Sequence, residues 1–203
     1  MIKNIILDMG NVLIEYDVDR PLNACCPDEE SKKLIRRELF ESAEWLEGDR
    51  GSITDGEMLA AAKSRVPEKY HGALEKCERH WPDFLNRIDG AQEFCRKMRA
   101  GGKKIYVLSN ASGRFYEYFP RFYDMDFFDG VVVSCDLHMI KPERGIYEYI
   151  LEKYELKAEE CLFIDDRGEN VRGAQDVGMN AVQFENNYGE IEKEYGLLPA
   201  EDK

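Results

Sequence analysis

Cys161-Leu-Phe-Ile-Asp-Asp-Arg-Gly-Glu-Asn-Val-Arg-Gly-Ala174 runs a short apolar stretch into two adjacent carboxylates and then into helical spacing. Val171, Ala174 and Val177 fall on one helix face, and Gly178 supplies the stop. The same rhythm of a buried strand followed by a helix recurs on either side. Lys3 to Asp8 reads as a first strand, Lys104 to Ser109 as a second, Gly130 to Ser134 as a third and Asn180 to Phe184 as a fifth. The helix before the second strand carries Ala91, Phe94, Cys95 and Met98 at i, i+3, i+4 and i+7, and ends at Gly101-Gly102. Another is expected to begin at Pro142, with Ile146, Ile150 and Tyr154 on one face. Short, continuously apolar strands alternating with helices predict an α/β fold, a doubly wound parallel sheet with helices on both faces.

The stretch between the first and second strands breaks this rhythm. Leu34, Ile35 and Leu39, then Met58, Leu59 and Ala62, then Leu74, Cys77 and Trp81 predict three or four helices and no strand. We expect residues 15–88 to form a helical cap inserted after the first strand, with links near Ile14–Asp17 and Asn86–Gly90. Residues 1–14 and 89–203 would form the core.

Of 203 residues, 43% are hydrophobic, enough for a buried core. The net charge of −13 disfavours nonspecific binding to nucleic acid, although a local cation could still hold a small phosphorylated ligand in one cleft. Ile5-Ile6-Leu7, closed at once by Asp8, is too short for a secretory signal or a membrane span, so a cytoplasmic protein without a membrane partner is expected. The six cysteines include no C-x-x-C pair and read as free thiols in a reducing compartment.

In an open parallel sheet, ligands bind beyond the carboxyl ends of the strands. Asp8 ends the first strand and is followed by Met9-Gly10-Asn11; Ser109-Asn110 ends the second; Lys141-Pro142 follows the third; Asp165-Asp166 ends the fourth. Any one of these could be an ordinary turn or helix cap. Together they bring carboxylates, a hydroxyl, an amide and an ammonium towards one crevice. Carboxylates so close repel unless a cation separates them, and hard oxygen ligands suit Mg²⁺, in octahedral geometry at about 2.0–2.1 Å. Ser109, Asn110 and Lys141 would hold phosphoryl oxygens, and Asp8 is the candidate nucleophile.

Ile6-Leu-Asp-Met-Gly-Asn-Val-Leu13, Val107-Leu-Ser-Asn110, Lys141-Pro142 and Phe163 to Ala174 occur in the order of the haloacid dehalogenase (HAD) superfamily, which the chain resembles over essentially its whole length. Glu47-Gly-Asp-Arg-Gly-Ser-Ile-Thr54 further resembles bacterial sugar-phosphate phosphatases of that superfamily, including those acting on α-glucose 1-phosphate. The resemblance implies a Rossmann-like core with a small helical cap, and an Mg²⁺-dependent phosphatase for a small phosphorylated metabolite such as a hexose 1-phosphate. It implies that Asp8 attacks phosphorus and that Asp8, the Gly10 carbonyl and Asp165, with Asp166 beside it, hold the metal. Ser109 and the Asn110 backbone would bind phosphate, and Lys141 would neutralise nucleophile and phosphoryl group. Asp166 could instead orient Lys141, and Asn170 would stand just outside the metal's direct ligands. The protein is expected as a monomer or homodimer.

The chain departs from the superfamily pattern at Gly10, where phosphatases usually carry an acid–base Asp. General acid–base help is typically worth about 10²–10⁴ in rate. A sheet-end loop that aims a carbonyl at a metal has little freedom, so Gly10 is expected to need a positive φ or to have its space filled, and an added side chain to strain it. A 2-haloacid dehalogenase or a binding protein with an impaired site are the alternatives. His138 could line the cleft or be an exposed loop residue. The run from Phe115 to Phe128 reads as core packing, and substrate choice would fall to cap residues around Trp45, Asp49 and Arg50.

Overall fold

The computed structural model describes residues 1–198; of the expected core, residues 199–203 lie outside the described residues. The chain enters through β1 (Asn4–Leu7), turns, and forms the two-residue β2 (Ile14–Glu15). It then builds five helices: α1 (Asp19–Cys25), α2 (Glu29–Ile35), α3 (Ala43–Arg50), α4 (Asp55–Arg65) and α5 (His71–His80). It returns through β3 (Asn86–Arg87), antiparallel to β2. The inserted stretch thus holds more helix than its spacing predicts, and the two expected links pair with each other as a narrow ribbon. Ribbon strands of two residues are too short to show any period in a sequence.

The remaining chain alternates as expected: α6 (Ala91–Ala100), β4 (Lys104–Ser109), α7 (Phe115–Tyr118), β5 (Gly130–Val133), α8 (Arg144–Lys153), β6 (Cys161–Asp165), α9 (Gly168–Asp176), β7 (Asn180–Gln183) and α10 (Tyr188–Glu194). One boundary differs. The helix expected to start at Pro142 starts at Arg144, because Glu143 is extended (ψ 131°) and Pro142 sits in the preceding turn, after a cis peptide bond with Lys141.

All five strands of the main sheet are parallel, in the order β5-β4-β1-β6-β7. β1 is central because Ile5, Ile6 and Leu7 have no exposed surface and can be covered on both sides. Alternate residues serve opposite faces. Ile5, Leu7, Ile105 and Val107 pack with Phe94 and Met98 of α6 and with the inserted helices. Ile6, Tyr106, Leu108 and Phe163 pack with Ile146 and Ile150 of α8 and with Val171 and Ala174 of α9. Each such side chain stabilises the fold by roughly 1.5–3 kcal/mol relative to exposure. Phe115, Tyr118, Phe119, Tyr123 and Phe128 of the aromatic run are buried in this core, while Tyr116 is exposed. Leu7 is level with Val107 on one side and Ile164 on the other, so Asp8 emerges beside Asp165.

The inserted helices lie over that carboxyl end. Ser42 caps α3 by accepting the Trp45 N–H at 3.1 Å, and Thr54 and Glu57 form a reciprocal cap on α4. The end of α3 is fixed to the core at several points. Arg50 forms a two-pronged ion pair with Glu143 (2.7 and 3.0 Å) and donates to the His138 carbonyl, and the Ser134 hydroxyl donates to the Asp49 carbonyl.

Two glycines differ sharply in what they demand. Gly51 ends α3 at φ 77°, and a Cβ there would run into the Cys135 backbone carbonyl. Gly10 has no left-handed backbone, and the nearest atom to an added Cβ is Asp8 Oδ2 at 3.9 Å, an ordinary contact. The expectation of a positive φ at Gly10 is therefore overturned, because in that loop it falls on Asn11 (52°) instead, and a Cβ at Gly10 has room. Gly51→Ala should cost at least about 1–3 kcal/mol, seen as a lower midpoint in thermal or urea unfolding; an unchanged midpoint would contradict the close packing. Gly10→Ala should stay within about 0.5 kcal/mol of the parent, and a loss comparable to that at Gly51 would restore the strained reading.

Candidate active site

The carboxyl ends of β1, β4 and β6 and the turn after β5 converge on one cavity of about 520 Å³, walled on the far side by α3 and its neighbours. Asp8, Gly10, Asn110, Lys141 and Asp166 line it. Ser109 and Asp165 lie beneath its floor with no exposed surface. His138 is exposed outside the cavity, on a loop with φ 55°. Arg50 does not line the cavity either; its guanidinium is engaged by Glu143.

Lys141 is the centre of the floor. Its Nζ lies 2.7 Å from Asp8 Oδ1 and 2.7 Å from Asp165 Oδ2, and it donates to the Leu108 carbonyl at 2.9 Å. Asn110 fixes the lysine backbone from both sides: its Oδ1 accepts the Lys141 N–H (2.8 Å) and its Nδ2 donates to the Lys141 carbonyl (2.9 Å). The Asn110 side chain is thus used for positioning, which leaves only its backbone for a ligand. Asp165 is saturated. Asn170 Nδ2 donates to both of its oxygens (2.9 and 3.1 Å), and the Arg167 N–H donates to Oδ1 at 2.9 Å. The partner orienting Lys141 is therefore Asp165, not Asp166.

Asp8 accepts from the Met9 N–H and Lys141 on Oδ1; among the described residues, no hydrogen bond to Oδ2 is recorded. Asp166 accepts from Asn11 Nδ2 at 3.0 Å. Oxygens of Asp8, Asp165 and Asp166 all lie within 4.8 Å of one another. Burial pushes the Asp8 carboxyl up to about 7, Lys141 opposes this, and Asp165 and Asp166 add to it. Burial likewise raises Asp166, with Asn11 opposing and Asp165 adding. Burial pulls the Lys141 ammonium down, but Asp165 and Asp8 together outweigh it, and its pKa lies above the ordinary value. Three carboxylates face one ammonium, so the ionised cluster lacks positive charge. A divalent ion with a preference for oxygen fits that deficit. Ser109 Oγ, buried and without a hydrogen-bond partner among the described residues, is a donor suited to an anionic ligand.

The roof is aromatic. Phe40, Trp45, Tyr16, Trp81 and Tyr118 line the cavity, with Trp45 and Trp81 centroids 5.4 Å apart and Trp81 and Tyr118 5.2 Å apart. Trp45 and Asp49 lie on this wall as the sequence suggests, whereas Tyr16 carries no mark in the sequence and Tyr118 reads there as core. Neither carries a local signal: Tyr16 opens the inserted stretch and Tyr118 belongs to α7 of the core, and they meet at the cavity only in the folded chain.

The family model for haloacid dehalogenase-like hydrolases matches residues 2–178. Among curated proteins, a sesquiterpene phosphatase of Aspergillus oryzae is 35% identical over 178 residues, 87% of each chain. A D-ribitol-5-phosphate phosphatase of Bacteroides thetaiotaomicron is 24% identical over 200 residues, 92% of this chain and 93% of that one. A drimenol cyclase of Aspergillus calidoustus is 28% identical over 195 residues, 91% of this chain, and this chain spans 34% of the cyclase's length. Among solved structures, a HAD family enzyme of Bacteroides thetaiotaomicron, crystallised with magnesium and inorganic phosphate, superimposes with a TM-score of 0.72 at 23% identity, covering 92% of this chain and 95% of that one. L-2-haloacid dehalogenase from Xanthobacter autotrophicus superimposes with a TM-score of 0.65 at 19% identity over 98% of this chain and 85% of that one. At such identities these superpositions establish the fold alone. The family match covers most of the chain, its motifs meet at one cavity, and the chain belongs to the haloacid dehalogenase-like hydrolases.

Proposed function

We propose that this hydrolase cleaves small phosphate monoesters with Mg²⁺, and that residues 15–88 act as its cap. The observation that carries the reading is the cluster of Asp8, Asp165 and Asp166 around one ammonium. A 2-haloacid dehalogenase needs a carboxylate nucleophile but has no use for two further acids beside it. An impaired binding protein has no use for a lysine held so closely against the nucleophile.

In this reading Asp8, through the oxygen not bonded to Lys141, attacks phosphorus and forms an aspartyl-phosphate. Asp8, the Gly10 carbonyl and Asp166 would hold the ion, and Asp165 would contribute charge while anchoring Lys141. An ion held there would supply positive charge to phosphoryl oxygens. Lys141 balances the charge of the nucleophile and phosphoryl group, and Ser109 Oγ and the Asn110 backbone hold a phosphoryl oxygen.

For the alcohol, we favour a sugar or polyol phosphate such as a hexose 1-phosphate. Asn11, Ser42, Asp49 and Ser112 line the cavity and can meet hydroxyls, and the D-ribitol-5-phosphate phosphatase supports this choice. The aromatic roof and the sesquiterpene phosphatase support a second reading, a phosphorylated apolar alcohol.

The test is phosphate release from hexose 1-phosphates, hexose 6-phosphates, pentitol phosphates and an isoprenyl phosphate, with Mg²⁺ and with chelator. Release should require Mg²⁺ and fall on the order of 10³-fold or more in Asp8→Asn, since an amide is a poor nucleophile. The preferred ester decides between sugar and apolar alcohol. Activity that survives thorough chelation, or halide release from a 2-haloacid without phosphate release, would defeat the phosphatase reading.

A further inference from the structure

The floor of the cavity offers no proton donor at Gly10, and the opposite wall offers one. We propose that Asp49, on α3, is the acid and base of this site: its carboxyl protonates the leaving oxygen and its carboxylate then deprotonates the attacking water. This role rests on the phosphatase reading above.

Three observations place it there. Asp49 lines the same cavity as Asp8, from the facing wall. Its backbone is fixed relative to the floor, since its carbonyl accepts from Ser134, the neighbouring Arg50 pairs with Glu143, and Gly51 packs against the Cys135 backbone. It shares the cavity wall with the aromatic rings of the roof, of which Phe40, Trp81 and Tyr118 are buried and Tyr16 and Trp45 partly so. Tyr16 and Tyr118 line the cavity together with Asp49, and the buried Tyr16 hydroxyl has no hydrogen-bond partner among the described residues.

Asp8 is met by an ammonium; Asp49 has no such partner in any recorded ion pair among the described residues. The groups facing it are Tyr16, Asp55 from α4, Tyr118 from α7, the Ser112 N–H and the Cys135 thiol, and Arg114 lines an adjoining recess together with Asp49 and Asp55. Burial pushes its carboxyl up to about 7, the Ser112 N–H opposes this and Asp55 adds to it. A group that must give and then take a proton near neutral pH works best with its two forms balanced there.

The two steps balance. In the first, the Asp8 oxygen–phosphorus bond forms, the ester phosphorus–oxygen bond breaks, and the Asp49 proton goes to the departing alkoxide. In the second, a water oxygen bonds to phosphorus, the Asp8 oxygen–phosphorus bond breaks, and the water proton goes to the Asp49 carboxylate. Asp8 and Asp49 are both returned to their starting forms.

The test compares the parent protein with Asp49→Asn in Mg²⁺, on a hexose 6-phosphate and on p-nitrophenyl phosphate, by rapid quench and at steady state. The alkyl ester should lose about 10²–10⁴ in kcat/KM, the usual worth of a positioned acid or base. The first-turnover burst of p-nitrophenol should stay within a few-fold, because that oxide leaves without a proton. Turnover after the burst should slow, with phosphate accumulating on Asp8. The alkaline fall in alkyl-ester activity above about pH 7 should vanish in the variant. Stability supplies a separate readout. A carboxyl raised on folding contributes stability that is full below its ordinary value of 3.8 and is lost as pH rises through about 7. Asp49→Asn should therefore gain in unfolding midpoint over the parent as pH rises across that window, whereas loss of a merely structural residue would lower the midpoint throughout. Asp49→Ser serves the same kinetic comparison if the amide disturbs folding. Alkyl-ester turnover within a few-fold of the parent, or equal losses in the burst and in alkyl turnover, would overturn the assignment. A parent protein that releases phosphate from no ester removes the phosphatase reading, and Asp49's role falls with it; parent turnover with an unaffected variant removes Asp49's role alone.

Discussion

Lys141 holds the floor together. Its ammonium, almost fully buried, lies 2.7 Å from a carboxylate on each of two adjacent strand ends. An ion pair taken out of water is stable only when its remaining donors and acceptors are satisfied. Here the third ammonium bond goes to the Leu108 carbonyl, Asn170 and the Arg167 N–H complete Asp165, and Asn110 clamps the lysine's backbone. Four separate segments are thereby tied to one nitrogen. Among the described residues, the same bonds leave one oxygen of Asp8 without a partner, and they leave the Asp166 carboxylate with a single hydrogen bond, from Asn11. The network that makes the floor rigid also determines which oxygens remain for chemistry.

The cluster is nevertheless built against its own electrostatics. Asp8 and Asp166 are both pushed up, with burial as the leading cause and neighbouring carboxylates adding to it. A fold selected for stability alone would not place acids together out of water. Buried acids whose charged forms are disfavoured mark sites where charge is wanted for a ligand or a reaction. The surrounding apolar packing supplies the compensation, since β1 and β6 are wholly buried on both sides of the site.

The sheet was legible because its physics is local. Continuous apolar strands closed by polar groups announce themselves within a few residues, and the strand ends Asp8, Ser109 and Asp165 follow at once. What lay hidden depends on contacts between distant segments. The ribbon of Ile14–Glu15 with Asn86–Arg87 joins residues some seventy positions apart, and nothing in either dipeptide signals its partner. The choice between Asp165 and Asp166 as partner of Lys141 could not be read from adjacent identical letters; it follows from which one ends β6 and points down into the network. Gly10 misled for a similar reason. A glycine in a tight loop suggests a left-handed backbone, but here Asn11, a residue that tolerates that region, carries it.

Freed of a conformational duty, Gly10 is better understood by what it leaves open than by what it bends. An acid there would sit beside Asp8, within the same repulsive cluster and on the same rigid floor. Asp49 stands instead on the inserted helices, apart from those carboxylates, where burial is the leading cause of its raised proton affinity, the Ser112 N–H opposes it and Asp55 adds to it. Its distance from the floor is fixed by the contacts of α3 with the turn after β5 and with Glu143. The completeness of the site is thus coupled to the docking of the insertion. An acid carried by the core would be in place whether or not the helices lay over the cavity; one carried by α3 is in place only when they do.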